Sequence, residues 1–242
     1  MPDRAFITTA DGRVLTYGGL DALSARLAHA LQAQGVKPGD RVAAQVEKSP
    51  EAIALYLACV RAGAVWLPLN TAYTRAEVAY FVEDADPALF VAAPGREDMA
   101  TGVAVASLGT DGQSGSLLEL AARHPDDFED IARGPDDQAA ILYTSGTTGR
   151  SKGAMLSHEN LASNARTLAR LWQFTDRDVL LHALPIYHTH GLFVATNTVL
   201  MSGAQMLFLQ RPDMDAMFRL VPQATVMMGC RLSIRGCWQM RA

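Results

Sequence analysis

Residues 143–153 read Tyr-Thr-Ser-Gly-Thr-Thr-Gly-Arg-Ser-Lys-Gly, which is the most informative stretch of the chain. Its glycines let backbone N–H groups approach an anion without a Cβ in the way, and they tolerate the positive φ angles of such loops. Lys152 adds a positive charge on a long side chain. The hydroxyl groups that can donate hydrogen bonds here include those of Thr144, Ser145, Thr147 and Thr148. The stretch therefore predicts a loop that binds phosphate oxygens.

The segments on either side of this loop indicate its structural context. The apolar run at 139–143 predicts a buried strand before the loop, and Ser157 predicts the N-cap of a helix after it. A strand, a glycine-rich loop and a helix start, in that order, are typical of phosphate-binding loops. The alternative is a surface turn rich in glycine and threonine that binds no ligand.

The loop differs from the Walker loop, whose pattern is G-x-x-x-x-G-K-[ST]. Counted from Gly146, Ser151 stands where that pattern has its second glycine, and Gly153 replaces the hydroxyl residue after the lysine. The sequence therefore does not indicate kinase or GTPase chemistry. We interpret Lys152 as a counter-charge for phosphate rather than a Schiff-base lysine, because its sequence neighbours are not apolar enough to lower its pKa.

A second segment, residues 184–192, reads Leu-Pro-Ile-Tyr-His-Thr-His-Gly-Leu. Two histidines two positions apart could suggest a zinc pair, but no third ligand of Asp, Glu or Cys lies nearby in the sequence, so we do not predict a metal. His188 and His190 are instead candidates to hydrogen-bond a carboxylate or phosphate, the alternative being structural histidines. His158 is interpreted as a first-turn helix residue, and His29, His124 and His182 give no functional signal.

Together these segments resemble the adenylate-forming (AMP-binding) superfamily, which includes acyl-CoA synthetases and aryl-CoA ligases. The first segment is similar to the superfamily signature [YF]-T-S-G-[ST]-T-G-x-P-K-G, with Ser151 in place of the usual proline. The second resembles the downstream motif in which an aromatic-His pair lies beside the acyl pocket. Arg150-Ser151 and the His-Thr-His-Gly-Leu form are most similar to bacterial malonyl-CoA synthetases. The resemblance extends from about residue 16 to residue 229.

The resemblance implies a two-step reaction with ATP, Mg²⁺ and coenzyme A. A carboxylate attacks the α-phosphate of ATP to give an acyl-adenylate and diphosphate, and the thiol of coenzyme A then displaces AMP. The acyl pocket would include His188, His190 and Gly191, and the substrate would be malonate or methylmalonate. The alternatives are another acyl- or aryl-CoA ligase, or a non-catalytic adenylate-fold fragment. The residues implied to hold the ATP phosphates are Thr144, Ser145, Gly146, Thr147, Thr148, Gly149 and Lys152.

The chain changes character after Gly229, where the resemblance leads us to expect Val-Pro-Thr-x-Tyr. Residues 230–242 can be encoded by codons that, with one G restored in front, read Val-Pro-Thr-Phe-Tyr-Thr-Arg-Leu-Leu. We therefore expect residues 1–229 to be a partial N-terminal AMP-binding domain and 230–242 to be a frameshifted tail. The adenine pocket, the magnesium-binding Glu and the C-terminal lid domain with the family's catalytic lysine would then be absent. We assign no catalytic residue and expect no turnover by this chain alone.

Composition sets broad limits on function. The chain has 242 residues, 49% of them hydrophobic, and a net charge of −4. The chain contains no run of basic residues that would indicate a nucleic-acid partner. It also contains no apolar window of about 18 residues that would indicate a membrane span. The chain opens without a secretory signal pattern, and its three cysteines lack ligand spacing. We therefore expect a cytoplasmic protein without nucleic-acid or membrane partners.

Elements alternate in a βα rhythm, which predicts an α/β fold with mostly parallel sheets layered with helices, the N-terminal part of the large adenylate-forming domain. Ser49 and Pro50 predict a helix start, and Thr74 with Glu77 predicts a capping box. Residues 94–116 are expected to form a loop-rich surface, and 123–138 a solvated connector. Strands are predicted over 41–46, 64–67, 89–92, 139–143, 179–183, 205–209 and 225–228. Helices are predicted over 20–31, 50–62, 75–82, 158–171 and about 191–201.

Overall fold

The computed structural model describes residues 1–144 and 151–229. Its strands are β1 (Ala5–Thr9), β2 (Val14–Thr16), β3 (Arg41–Gln45), β4 (Val65–Pro68), β5 (Leu89–Ala92), β6 (Ala104–Ser107), β7 (Gln138–Thr144), β8 (Lys152–Ser157), β9 (Val179–His182), β10 (Gln205–Phe208) and β11 (Val226–Met228). Its α-helices are α1 (Tyr17–Ala33), α2 (Pro50–Arg61), α3 (Arg75–Ala85), α4 (Ser116–Ala121), α5 (His158–Leu171), α6 (Asn197–Ser202) and α7 (Met214–Leu220). The chain divides into two compact units, Leu20–Asn160 and Met1–Gly19 with Leu161–Ala242.

The unit Leu20–Asn160 contains a sheet of strand order β6-β5-β3-β4-β7-β8. All its neighbouring strands are parallel except β7 and β8, which are antiparallel. Helix α3 packs Val78 and Phe81 against a cluster that includes Leu67 of β4, Phe90 of β5 and Ile141 of β7. The central strands are buried on both faces, which explains why their sequences are nearly continuous apolar runs.

The other unit contains a sheet of strand order β11-β9-β10-β1-β2, in which only β2 is antiparallel to its neighbour. Leu181 of β9 and Leu207 of β10 pack with Met217 of α7 in its core. The hydroxyl of Tyr17 donates to the carbonyl of Ala204 at 2.7 Å, which ties the start of α1 to the segment before β10. The prediction of an α/β fold with mostly parallel sheets is therefore confirmed.

The predicted helix starts are confirmed by their hydrogen bonds. The Ser49 side chain accepts from the backbone N–H of Ala52, and Pro50 occupies the first turn of α2. Thr74 and Glu77 form a reciprocal capping box at α3, so each satisfies a backbone N–H that the helix leaves free. The predicted capping role of Ser157 is also confirmed, because its hydroxyl accepts from the backbone N–H of Asn160 at 3.2 Å.

Two predictions about local structure were wrong. The segment 94–116 contains strand β6, a short run of small residues that pairs with β5 in parallel. Strand β8 follows the glycine-rich loop directly, so the loop joins two antiparallel strands rather than a strand and a helix. The helix predicted over about 191–201 is present as continuous helical backbone from His190 to Ser202, with π-helical hydrogen bonding over His190–Thr196 before α6.

Candidate active site

The first group of predicted site residues lies at the carboxyl end of β7. Thr144 ends β7 and pairs directly with Lys152, the first residue of β8. The Thr144 hydroxyl donates to the Lys152 carbonyl at 3.5 Å, and both side chains are exposed. Ligands of α/β folds bind at the carboxyl ends of parallel strands, which is where β7 places this pair. The other predicted phosphate-binding residues, Ser145, Gly146, Thr147, Thr148 and Gly149, lie outside the described residues.

Gly153, the next residue of β8, lies in a tightly packed position with little space for a side chain. It pairs with Tyr143, and a Cβ at this position would lie 3.0 Å from Ile141 Cγ2 and 3.5 Å from the Tyr143 ring. The aromatic ring therefore lies over the glycine, and the two residues pack across the hairpin beside Lys152.

Helix α3 contacts the hairpin on both sides of its loop, through residues that the sequence analysis did not single out. The Tyr143 hydroxyl donates to the Asp84 carboxylate, and the Tyr80 hydroxyl donates to the Ser151 carbonyl at 3.0 Å. Desolvation, together with the negative charge of Asp84, raises the pKa of Tyr143, so this phenol stays protonated and remains a donor. The only sequence signal was a tyrosine and an aspartate four positions apart on one helix, which share a face.

The second group of predicted site residues follows β9. His188 is exposed in a turn, and His190 is half-buried at the start of the π-helical segment. Leu192 donates its backbone N–H to the His188 carbonyl at 3.1 Å, and the Tyr187 and His188 rings lie 4.6 Å apart. Desolvation lowers the pKa of His188, which therefore favours the neutral imidazole at pH 7. A neutral imidazole can donate from one nitrogen and accept at the other.

The third predicted pocket residue, Gly191, is buried and held by a polar cluster. Its carbonyl accepts from the Thr196 hydroxyl at 3.0 Å and lies 2.8 Å from His182 Nε2. His182 ends β9 and is 1% exposed, so its imidazole ties the carboxyl end of the strand to the turn that carries His188. The sequence analysis gave His182 no function, because a lone histidine after an apolar run does not reveal which backbone group it meets.

The remaining histidines lie in the unit Leu20–Asn160. His158 begins α5, as predicted, and its pKa is lowered by desolvation and by the nearby charge of Arg133. His29 stacks on His124 with ring centroids 5.6 Å apart, and its Nε2 lies 2.9 Å from the Asp127 carbonyl. These contacts hold the segment after α4 against α1, and they involve neither group of predicted site residues.

Within residues 1–144 and 151–229, no group of three or more His, Cys, Asp and Glu side chains could hold a metal ion. Among the helices of the same ranges, none combines the length and the apolar character that spanning a bilayer requires.

Comparisons with known proteins identify the family to which this fold and this glycine- and threonine-rich hairpin belong. Residues 1–231 match the AMP-binding enzyme family, and the chain belongs to that family. Its relatives include CoA ligases, and the fold is that of the N-terminal part of adenylate-forming enzymes.

Individual relatives make the similarity more specific. The ATP-bound structure of MatB from Rhodopseudomonas palustris is 55% identical, with a TM-score of 0.91 over 94% of this chain and 46% of that chain. Oxalate–CoA ligase of Arabidopsis thaliana is 34% identical over 84% of this chain and 41% of its own length. Malonate–CoA ligase of the same plant is 27% identical over 87% of this chain and 38% of its own length. The chain therefore spans less than half the length of these relatives.

Proposed function

We propose that this chain provides the phosphate-binding hairpin and part of the acyl pocket of an ATP-dependent acid–thiol ligase. The reaction would join malonate, or methylmalonate, to coenzyme A with conversion of ATP to AMP and diphosphate. The observation that carries this proposal is the pairing of Thr144 with Lys152 at the carboxyl end of a parallel strand, in a chain 55% identical to a protein solved with ATP bound. Residues 1–229 would then be a partial N-terminal AMP-binding domain.

The first chemical step joins two anions, so the site must neutralise charge as well as align the reactants. Lys152 supplies an exposed ammonium group, and the Thr144 hydroxyl supplies a donor on the strand that faces it. The loop residues Ser145, Gly146, Thr147, Thr148 and Gly149 would complete the grip on the β- and γ-phosphates. Each donor directed at the leaving diphosphate would stabilise the charge that develops there.

The dicarboxylate assignment rests on the segment after β9 and on the names of two relatives. A diacid keeps one free carboxylate after the other is activated, and that carboxylate needs a hydrogen-bond donor. His188 and His190 would supply it, with Gly191 beside them in the same segment. Oxalate–CoA ligase and malonate–CoA ligase both act on short diacids by name, which supports this substrate class.

Magnesium and coenzyme A complete the proposed reaction. Magnesium typically binds through one or two carboxylates together with substrate phosphates. We therefore propose that it enters with ATP, and we assign no residue of the described ranges to it. Coenzyme A would act as the thiol co-substrate in the second step.

The phosphate-binding part of the proposal can be tested on the 242-residue chain. Isothermal titration calorimetry with Mg·ATP and with tripolyphosphate should detect binding to the unmodified chain. Lys152→Gln should raise the Kd at least about tenfold, because charge-assisted hydrogen bonds contribute about 1.5–3 kcal/mol. Lys37→Gln is the matched control, since it removes the same charge from another exposed lysine and should leave the Kd unchanged. Equal Kd values for both variants would contradict the assignment of Lys152.

The substrate assignment needs the part of the ligase that this chain does not span. A chimera of residues 1–229 with the remaining half of Rhodopseudomonas palustris MatB would supply it. We expect thioester formation with malonate at a kcat/KM well above that with acetate, octanoate or benzoate. A preference for octanoate or benzoate would instead indicate the fatty-acyl or aryl alternative. Diphosphate release from ATP and malonate by the 242-residue chain alone would contradict the expectation that it does not turn over unaided.

A further inference from the structure

We propose that Tyr80 and Asp84 of α3 are positioning residues that hold Lys152 and Thr144 at the loop end of the β7–β8 hairpin. This inference rests on the proposed function, in which those two side chains contact the phosphates of ATP. Neither α3 residue contacts the nucleotide in this account. Each acts through the backbone or the aromatic ring next to a phosphate-binding residue.

Two hydrogen bonds from the same face of α3 hold the hairpin, one on each side of its loop. Tyr80 donates its hydroxyl to the carbonyl of Ser151, the residue immediately before Lys152. Asp84, one helical turn later, accepts from the hydroxyl of Tyr143, the residue immediately before Thr144. The helix therefore fixes the residue that precedes each of the two phosphate-binding side chains.

Aromatic packing makes the arrangement rigid. Phe81 is 2% exposed, and its ring lies 4.5 Å from the Tyr143 ring and 5.3 Å from the Tyr80 ring. The Tyr143 ring in turn covers Gly153 on β8, as described above. The two hydroxyls are therefore held by rings packed on the buried cluster of this unit, rather than by freely rotating side chains.

The charge of Asp84 permits a decisive test. A positioning role and a purely electrostatic role predict opposite changes in polyphosphate affinity when this residue is removed. Asp84 is an exposed negative charge beside a site that binds anions. If Asp84 acted only as a charge, its removal would tighten polyphosphate binding, because repulsion would be lost. If it holds Tyr143, its removal should weaken binding in spite of that relief.

The experiment measures the Kd for tripolyphosphate by calorimetry on variants of the 242-residue chain. We expect Tyr80→Phe and Asp84→Ala each to raise the Kd about three- to tenfold, the effect of losing one hydrogen bond. Asp84→Asn retains an oxygen that can accept from Tyr143, so it should stay within about twofold of the unmodified chain. Tighter or unchanged binding by Asp84→Ala would overturn the proposal.

Two matched controls separate positioning from general damage. Glu83→Gln removes the neighbouring negative charge on α3, and Tyr17→Phe removes a tyrosine–carbonyl hydrogen bond in the other unit. Both should bind tripolyphosphate like the unmodified chain. A loss of binding by these controls equal to that of Tyr80→Phe would also overturn the proposal, because it would show a nonspecific effect.

Hydrogen exchange distinguishes failure of this inference from failure of the proposed function. Without any ligand, backbone amides of 151–157 should exchange faster in Tyr80→Phe than in Tyr17→Phe, and Asp84→Ala should accelerate exchange in 138–144. If no form of the chain binds polyphosphate but exchange accelerates as expected, the phosphate assignment fails and the positioning of Lys152 stands. If the unmodified chain binds but exchange and affinity are unaffected in the α3 variants, the positioning inference fails alone.

Discussion

Gly191, in the proposed acyl pocket, packs so closely against the Pro185 carbonyl that a larger residue at this position should be destabilising. A Cβ built on Gly191 would lie 2.0 Å from the Pro185 carbonyl oxygen and 3.2 Å from Leu184 Cβ. The nearest group is backbone from a proline-containing turn, so it cannot rotate away as a flexible side chain would. Gly191→Ala should therefore displace the turn that carries His188 or break the contacts that hold it.

The size of the effect follows from the contacts that would have to change. A relaxed carbon–oxygen contact is about 3.3 Å, so the two backbones must separate by more than about 1 Å. Forcing extra volume into a packed site costs about 1–3 kcal/mol. The displaced carbonyl of Gly191 would also weaken its bonds with Thr196 and His182, each contributing about 0.5–1.5 kcal/mol. The expected loss in unfolding free energy is about 2–6 kcal/mol.

The assay must report on this unit separately, because the chain has two compact units. Hydrogen exchange followed by mass spectrometry over a urea series gives unfolding free energies for peptides covering 179–208. Gly134→Ala is the control, since its Cβ would meet its nearest atom, Asp137 Oδ2, at an ordinary 3.6 Å. That control should change stability by no more than about 0.5 kcal/mol. A Gly191→Ala chain as stable as the control would refute the argument from crowding.

Three further outcomes follow from individual residues. Ser49→Ala should lower the unfolding free energy by about 1 kcal/mol in urea titrations, because the backbone N–H of Ala52 loses its cap. The pKa of His158 is lowered from 6.5, so the unfolded state binds more protons just below that pH and stability should fall as the pH drops from 6.5 towards the folded pKa. Proton NMR titration should find that lowered pKa, and His158→Gln should reduce the dependence of stability on pH. Cys59 is fully buried with a raised thiol pKa, so mass spectrometry should find it unlabelled by iodoacetamide at pH 8 until urea unfolds the chain.

The elements that the sequence predicted well are those whose signals are local or strongly apolar. Ser49 and Thr74 cap helices through side chains only three residues away, so the pattern contains the whole interaction. The parallel strands are buried on both faces and appear as apolar runs. Strand β8 escaped prediction for the opposite reason. Its first four residues are exposed, and it exists because it pairs with β7, an interaction that its own composition does not reveal.

The same missed strand changes the electrostatic argument for the phosphate site. The sequence analysis predicted no strand between the loop and the helix capped by Ser157, so that the free N–H groups and dipole of the helix start were expected to help attract an anion. Helix α5 does begin at His158, but the whole of β8 lies between it and the loop. Because the dipole's effect falls off within the first helical turn, α5 cannot supply the positive potential at Thr144. In the proposed site, the described residue assigned to supply that potential is Lys152. A helix start has N–H groups fixed by the backbone, whereas a lysine side chain must be oriented by its surroundings. For phosphate binding, the orientation of Lys152 by its strand and by α3 therefore matters as much as its charge.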